Sequence, residues 1–244
     1  MRLEAESTPG TLYLIPAPLG DAPLDRVLPE ETRRVAASLD TFIVEHPKTA
    51  RAYLKQLPTA TPLQQLTVLE LNEHTRDSEL EGLLRPLLDG RDVGLLSEAG
   101  CPAVADPGAN LVRLAHARGV TVRPLVGPSS ILLALMGSGL VGQRFAFHGY
   151  LPAKPEERAQ SLRELERRAE KEDAAQIFIE TPYRNEALLE TVLSTCRGDT
   201  LLCIARDLTL PDEYLASRRV ADWQGHLPDL RKRPAVFLLY RAQA

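Results

Sequence analysis

The chain has 244 residues, of which 44% are hydrophobic, and carries a formal net charge of −4 at pH 7. That is enough apolar material for one large core or two modest ones, since domains commonly run to roughly 100–150 residues. The acidic balance argues against a general polyanion binder, although a local basic patch can coexist with it. No apolar run approaches the ~20 residues of a membrane span. The N-terminus, with Glu4, Glu6 and Pro9, lacks the basic and apolar parts of a signal peptide, so a cytoplasmic chain is expected. Cys101, Cys196 and Cys203 are few, odd in number and without C-x-x-C spacing, which predicts reduced thiols and no structural zinc site.

Residues 11–16, 41–45, 67–71, 92–97 and 120–126 read as strands, and the segments between them as helices. Several strands are almost continuously apolar, as in Leu12-Tyr13-Leu14-Ile15 and Val93-Gly94-Leu95-Leu96. Helices on both faces of a mainly parallel sheet produce that pattern. In 77–88 the residues Leu80, Leu83, Leu84, Leu87 and Leu88 form one helical stripe, and in 107–118 Leu111, Leu114 and Ala115 form another. At Gly127-Pro128-Ser129-Ser130 a strand gives way to a turn and an apolar helix over 131–136, so a domain boundary is placed there. The expected domains are 1–126 and 127–244. In the second, 145–151, 175–181, 200–206 and 235–240 read as strands and 155–171 and 184–193 as helices. A polar connection is expected over 207–234. The fold class is therefore α/β in two lobes, with a mainly parallel sheet in the first and a mixed sheet in the second.

Ligands of open α/β sheets bind at the carboxyl ends of the strands, so the loops there are the places to search. Four are unusual: Pro16-Ala17-Pro18-Leu19-Gly20-Asp21, Glu45-His46-Pro47-Lys48, the stretch Ser97 to Gly108, and Gly127-Pro128-Ser129-Ser130. In Ser97-Glu98-Ala99-Gly100-Cys101-Pro102-Ala103-Val104-Ala105-Asp106-Pro107-Gly108, glycines permit backbone conformations that a side chain forbids and prolines stiffen the loop. Neither G-x-G-x-x-G nor G-x-x-x-x-G-K-[ST] occurs, so no nicotinamide or Walker-type phosphate site is supported.

Taken together, these loops resemble the tetrapyrrole methylase superfamily, and within it the branch of ribosomal small-subunit RNA 2′-O-ribose methyltransferases acting on cytidine. The first loop resembles that branch's P-x-P/T-I/L-G-N/D, and the Ser97–Gly108 stretch its S-D-A-G-x-P-x-x-x-D-P-G. Pro124-Leu125-Val126-Gly127-Pro128-Ser129-Ser130 resembles P-L-P-G-P-S/C-A. Phe147-His148-Gly149-Tyr150-Leu151-Pro152-Ala153-Lys154 with Arg158 resembles F-x-G-F-L-P-x-K with its following arginine. Ile179-Glu180-Thr181-Pro182-Tyr183-Arg184 resembles Y-E-S-P/T-H-R. The order is the family's, over roughly residues 11 to 240. The departures mark a diverged member: the branch's A-E-D-T-R is here Val44-Glu45-His46-Pro47-Lys48, Glu98 replaces an aspartate, and K-G-E-M-V-L has become Lys232-Arg233-Pro234-Ala235-Val236-Phe237.

The resemblance implies a homodimer, a cleft between the lobes for S-adenosylmethionine, and a cofactor bed of Pro18, Leu19, Ser97, Glu98, Ala99, Val104, Ser129, Ser130 and Thr181. No metal is required, because methyl transfer is an in-line displacement governed by alignment and exclusion of water. A ribose hydroxyl must lose a proton; Asp21, Glu45, Glu98, Asp106 and His74 are the candidates near strand ends, and Glu45, retained from the family pattern, is the first choice as catalytic base. Asp106 also suits an N-cap, and Cys101 a small filler. His148 is expected along a second-lobe strand. Lys154, Arg158, Arg163, Arg167 and Arg168, with Arg231-Lys232-Arg233, can hold phosphates or form a solvated face; residues 151–244 carry 15 Lys or Arg against 16 Asp or Glu, which favours the face. Trp223 and Tyr214 can stack on a base or serve as packing. The expected reaction is rRNA ribose 2′-O-methylation. A small-molecule methylase and a cofactor-binding protein without turnover are the alternatives.

Overall fold

A computed structural model describes residues 8–242; the acidic residues Glu4 and Glu6 used in the signal-peptide argument lie outside the described residues. The chain folds as two compact units, the first ending at Pro128 and the second beginning at Ser129. In the first, strands β1 (Thr11–Ile15), β2 (Thr41–Val44), β3 (Thr67–Glu70), β4 (Val93–Leu96) and β5 (Thr121–Pro124) alternate with helices α1 (Leu24–Val27), α2 (Glu30–Ser38), α3 (Pro47–Leu54), α4 (Leu80–Leu88) and α5 (Gly108–Ala117). The five strands are ordered β3-β2-β4-β1-β5 and all pair in parallel.

Every residue of β2 and β4 is buried, because helices cover both faces of the sheet. The alternation of side chains divides them between two cores. Phe42, Val44, Ile15 and Leu96 pack with Val35 and Ala36 of α2 and Tyr53 and Leu54 of α3. Ile43, Leu12, Val93 and Leu95 pack on the opposite face with Leu84 and Leu87 of α4 and Leu111 and Ala115 of α5. Leu83, Leu88 and Leu114 of the expected stripes are partly buried at the margin of this second core.

The connections create a switch point. From β2 the chain moves outward to β3 at one edge, whereas from β4 it crosses past β1 to β5 at the other. The carboxyl ends of β2 and β4 therefore diverge, and a crevice forms between the segments that follow them.

The second unit comprises α6 (Ser130–Ser138), β6 (Phe145–Tyr150), α7 (Pro155–Glu172), β7 (Ala175–Ile179), α8 (Asn185–Thr195), β8 (Leu201–Arg206), β9 (Tyr214–Arg219) and β10 (Ala235–Tyr240). Its sheet is ordered β6-β7-β10-β8-β9; β6 and β7 are parallel and the remaining pairs antiparallel, so it is mixed. The rings of Phe178 and Phe237 stack at 5.8 Å at the centre of its core, which also takes in Leu162 of α7 and Leu188 and Val192 of α8.

The expectation of a polar connection over 207–234 is corrected here, because β9 lies within it. Its sequence, Tyr-Leu-Ala-Ser-Arg-Arg, carries no β-branched residue, and as the outer strand it shows a polar face. Trp223, in a short 3₁₀ turn just after it, is fully buried and donates its indole N–H to the Leu202 carbonyl at 3.3 Å, so packing and not base stacking is its role. Tyr214 is partly buried against the same core, with the Arg206 guanidinium 5.5 Å from its ring centre.

Close packing also fixes the turn after β5. A Cβ placed on Gly127 would lie 2.3 Å from Cβ of Pro16, a rigid ring that cannot swing away. Gly142 has nothing within 4 Å of such a Cβ. Gly127→Val is expected to lower unfolding free energy by about 1–3 kcal/mol through overpacking, while Gly142→Ala stays within about 0.5 kcal/mol of the parent, both measured by urea denaturation.

Candidate functional site

The first unit's crevice is assembled from three segments. The loop after β1 begins with Ala17, which exchanges both backbone hydrogen bonds with Gly100 in the loop after β4, at 2.9 and 3.0 Å. Gly100 holds φ +72°, a left-handed conformation that costs a side-chain-bearing residue about 1 kcal/mol or more. The buried Ser97 hydroxyl donates to the Gly100 carbonyl at 3.0 Å, tightening the turn from its other end. The third segment is α3, which Pro47 starts at a position where its missing N–H is harmless.

These segments enclose a pocket of about 260 Å³. Pro18, Leu19 and Asp21 form one wall and Ser97, Glu98 and Ala99 another, at the ends of β1 and β4. The third wall is Thr49, Ala50, Ala52 and Tyr53 of α3 with Gln56 two residues beyond its end, none of which the sequence singled out. Thr49, Ala52 and Tyr53, at i, i+3 and i+4, share one helix face, a signal present in the sequence but indistinct in so short a helix. Tyr53 is buried, its hydroxyl has no hydrogen-bond partner among the described residues, and burial pushes its pKa up to about 12.

Glu45, just beyond β2, is partly buried. Burial raises its carboxyl above the ordinary range, the negative charges of Asp106 and Glu98 raise it further, and His46 draws it partly back. The His46 Nδ1 lies 3.8 Å from Glu98 Oε1. Asp106 accepts the backbone N–H groups of Ala103 and Gly108 at 3.0 and 2.9 Å; burial raises its carboxyl and those two bonds oppose the rise. The residue in the N-cap position of α5 is Pro107, so Asp106 caps from one residue earlier, bonding the first helical N–H. Ala103 and Ala105 have φ of 64° and 59°, unusual for residues with side chains, and Asp106 braces this strained turn. Burial raises the Cys101 thiol, whose Sγ sits 3.5 Å from the Pro128 carbonyl; no activating base is next to it, which suits a filler.

Of the remaining residues expected at the site, Val104 is exposed in the same turn, 48% accessible. His74 is exposed in the loop after β3, 3.6 Å from Glu73. In the second unit, Ser129 is the N-cap of α6, its hydroxyl accepting the Leu132 N–H at 3.4 Å, and Ser130 is the first helical residue. Thr181 follows β7 and donates its N–H to Glu180 Oε1 at 2.6 Å. The Glu180 side chain is wholly buried and paired with Arg184 at 2.7 Å, while its other oxygen has no partner among the described residues.

The basic residues of the second unit are largely engaged within it. Arg158 is buried, with Nε on the Thr191 hydroxyl at 3.0 Å. Lys154 pairs with Glu157, Arg167 with Glu164 and Arg168 with Glu172 along α7. Arg231 pairs with Asp229, and Arg233 with Asp207 and Asp212. Gln176 donates its amide N–H to the Ala174 carbonyl, so its oxygen accepts from His148 Nε2 at 2.7 Å on β6.

No protein-family model matches the chain. Curated relatives do. The ribosomal RNA small subunit methyltransferase I of Xylella fastidiosa is 34% identical, the match covering 96% of this chain and 81% of that protein. The protein of the same name from Vibrio cholerae is 31% identical over 94% of this chain and 76% of its own length. That of Micromonospora olivasterospora is 35% identical over 98% and 70%. The fold is similar to the methyltransferase CobJ, with TM-score 0.62 and 22% identity over 96% of this chain and 95% of the other. It is also similar to the cobalt precorrin-4 methyltransferase CbiF, with TM-score 0.59 and 15% identity over 94% of both chains. These likenesses establish a tetrapyrrole methylase fold, and with the sequence relatives they identify the chain as a methyltransferase belonging to the ribosomal RNA small subunit methyltransferase I family.

Proposed function

We propose that the chain transfers a methyl group from S-adenosylmethionine to a ribose 2′-hydroxyl of small-subunit ribosomal RNA. The observation that carries the reading is the convergence of the family-like loops on the switch-point pocket: Pro18, Leu19, Ser97, Glu98 and Ala99 all line it. Its volume of about 260 Å³ is just below the roughly 300–1,000 Å³ of ligand sites, so it suits part of a donor of this size. Leu19 and Leu96 supply apolar wall, Glu98 and Asp21 carboxylates for ribose or amino groups, and the turn at Ser97–Ala99 main-chain polar groups. Val104, Ser129, Ser130 and Thr181 complete the proposed donor site on the strength of the sequence resemblance.

When bound, the donor supplies a methyl group on a sulfonium leaving group. The protein's own task is to orient the acceptor and remove its proton. Glu45 is assigned as the base: burial and the neighbouring carboxylates raise its pKa, which makes it a stronger proton acceptor than an ordinary glutamate. The tetrapyrrole alternative rests on fold likeness at 22% identity or less and on no feature of the pocket that selects a tetrapyrrole. A cytoplasmic location is proposed with the ribosomal reading, as a ribosomal substrate would require. A homodimer is proposed with it, supported by Leu132 and Met136, exposed one turn apart on α6.

Incubation with methyl-labelled donor and small ribosomal subunits from a host lacking this gene is expected to label the subunit RNA on ribose. Label only on small metabolites would overturn the reading. Glu45→Gln is expected to lower kcat by about 10²–10⁴-fold with donor affinity unchanged by calorimetry; full activity would remove Glu45 from the base role. The same variant has a stability signature. A carboxyl whose folded-state pKa is raised weakens the fold where it is ionised, fully above the raised value, and the penalty disappears as the pH falls below the unfolded value. Glu45→Gln should therefore melt higher than the parent at neutral pH, and the gap should close on acidification.

A further inference from the structure

We infer that the exposed face of α3 is a phosphate-binding stripe for the RNA strand whose nucleotide is methylated, a surface that rests on the ribosomal reading above. Lys48, Arg51 and Lys55 lie at i, i+3 and i+7 along this helix and its C-cap, and all three are exposed. Such spacing sets them in one row about 10 Å long. None has a carboxylate partner among the described residues. Most basic residues along α7 and the 229–233 turn differ: Lys154, Arg167, Arg168, Arg231 and Arg233 each hold a carboxylate. In a chain of net charge −4, three exposed cations in one row on a helix without acidic residues form a local basic patch.

Its placement is the second argument. α3 carries no acidic residue, and Lys48 stands in the first turn, where the helix dipole disfavours a cation. The first turns of α2 and α7 follow the usual rule, with Glu30 and Glu31 in one and Glu156 and Glu157 in the other. On α3 the row is flanked by Ala52 and Gln56 of the pocket wall, and the helix starts directly after Glu45 and His46. A backbone bound along the row thus passes the mouth of the donor pocket and the proposed base. Phosphate pairing of this type positions a strand without reading its sequence.

The test compares the parent with the triple variant Lys48→Gln, Arg51→Gln, Lys55→Gln for binding to unmethylated small subunits across a salt series. Removing one cation that neutralises a phosphate of a single strand should lower the slope of log affinity against log salt by about 0.7. The triple variant should therefore show a slope shallower by about 2 and bind about tenfold or more weakly at 0.1 M salt, with donor affinity and melting temperature retained. A control pair, Arg167→Gln and Arg168→Gln, should leave the slope unchanged. If the parent binds and methylates subunits and the triple variant keeps its slope, the stripe is overturned while the functional reading stands. If the parent neither binds nor methylates subunits, the functional reading falls and the stripe with it. A slope change with intact subunits but none with naked small-subunit RNA would assign the row to an acidic ribosomal protein and overturn the RNA contact.

Discussion

The two backbone hydrogen bonds between Ala17 and Gly100 are the constraint on which the site depends. Parallel strands leave their carboxyl ends free, and loops that follow neighbouring strands have no reason to stay in register. The bridge fixes the loop after β1 against the loop after β4, two residues past Ile15 and four past Leu96, the last ladder pair. Gly100 makes it possible by taking a positive φ, and Ser97 reinforces it through the same carbonyl. With both loops fixed, α3 on the far side of the switch point closes the pocket. Substituting Gly100 would disturb both loop walls at once.

Electrostatics follow from that convergence. Strand ends that carry Glu45, Glu98 and Asp106 place carboxylates within each other's field, and partial burial removes some of the screening water. Asp106 is stabilised by two backbone N–H groups that it braces in a strained turn. Burial, and then the charges of Asp106 and Glu98, raise the proton affinity of Glu45, and His46 is the nearby group that opposes the rise. Both carboxyls thus stand above their ordinary range, Asp106 held by two backbone N–H groups and Glu45 drawn partly back by His46.

Much of this was legible in the sequence. Runs such as Val93-Gly94-Leu95-Leu96 announce strands buried on both faces, and the turn residues that follow them mark the two loops of the pocket. β9 was not legible: an edge strand needs only backbone pairing and one sheltered face, and Ser217, Arg218 and Arg219 suit water as well as a loop would. The α3 wall was hidden for a different reason. Thr49, Ala52 and Tyr53 are ordinary helix residues, and only the long-range order β2-β4-β1 brings them opposite Ser97 and Leu19. Charge counts likewise showed the basic residues of 154–168 without showing that α7 supplies its own counter-ions.

The central claim is that the methyl donor sits at the carboxyl edge of the first sheet, between the bridged loops and α3. A crystal structure with S-adenosylhomocysteine tests it most directly. The account predicts the ligand in contact with Leu19 and the Ser97–Ala99 turn, with the Ala17–Gly100 bridge intact. Ligand bound away from these residues, or a bridge broken to admit it, would contradict the account.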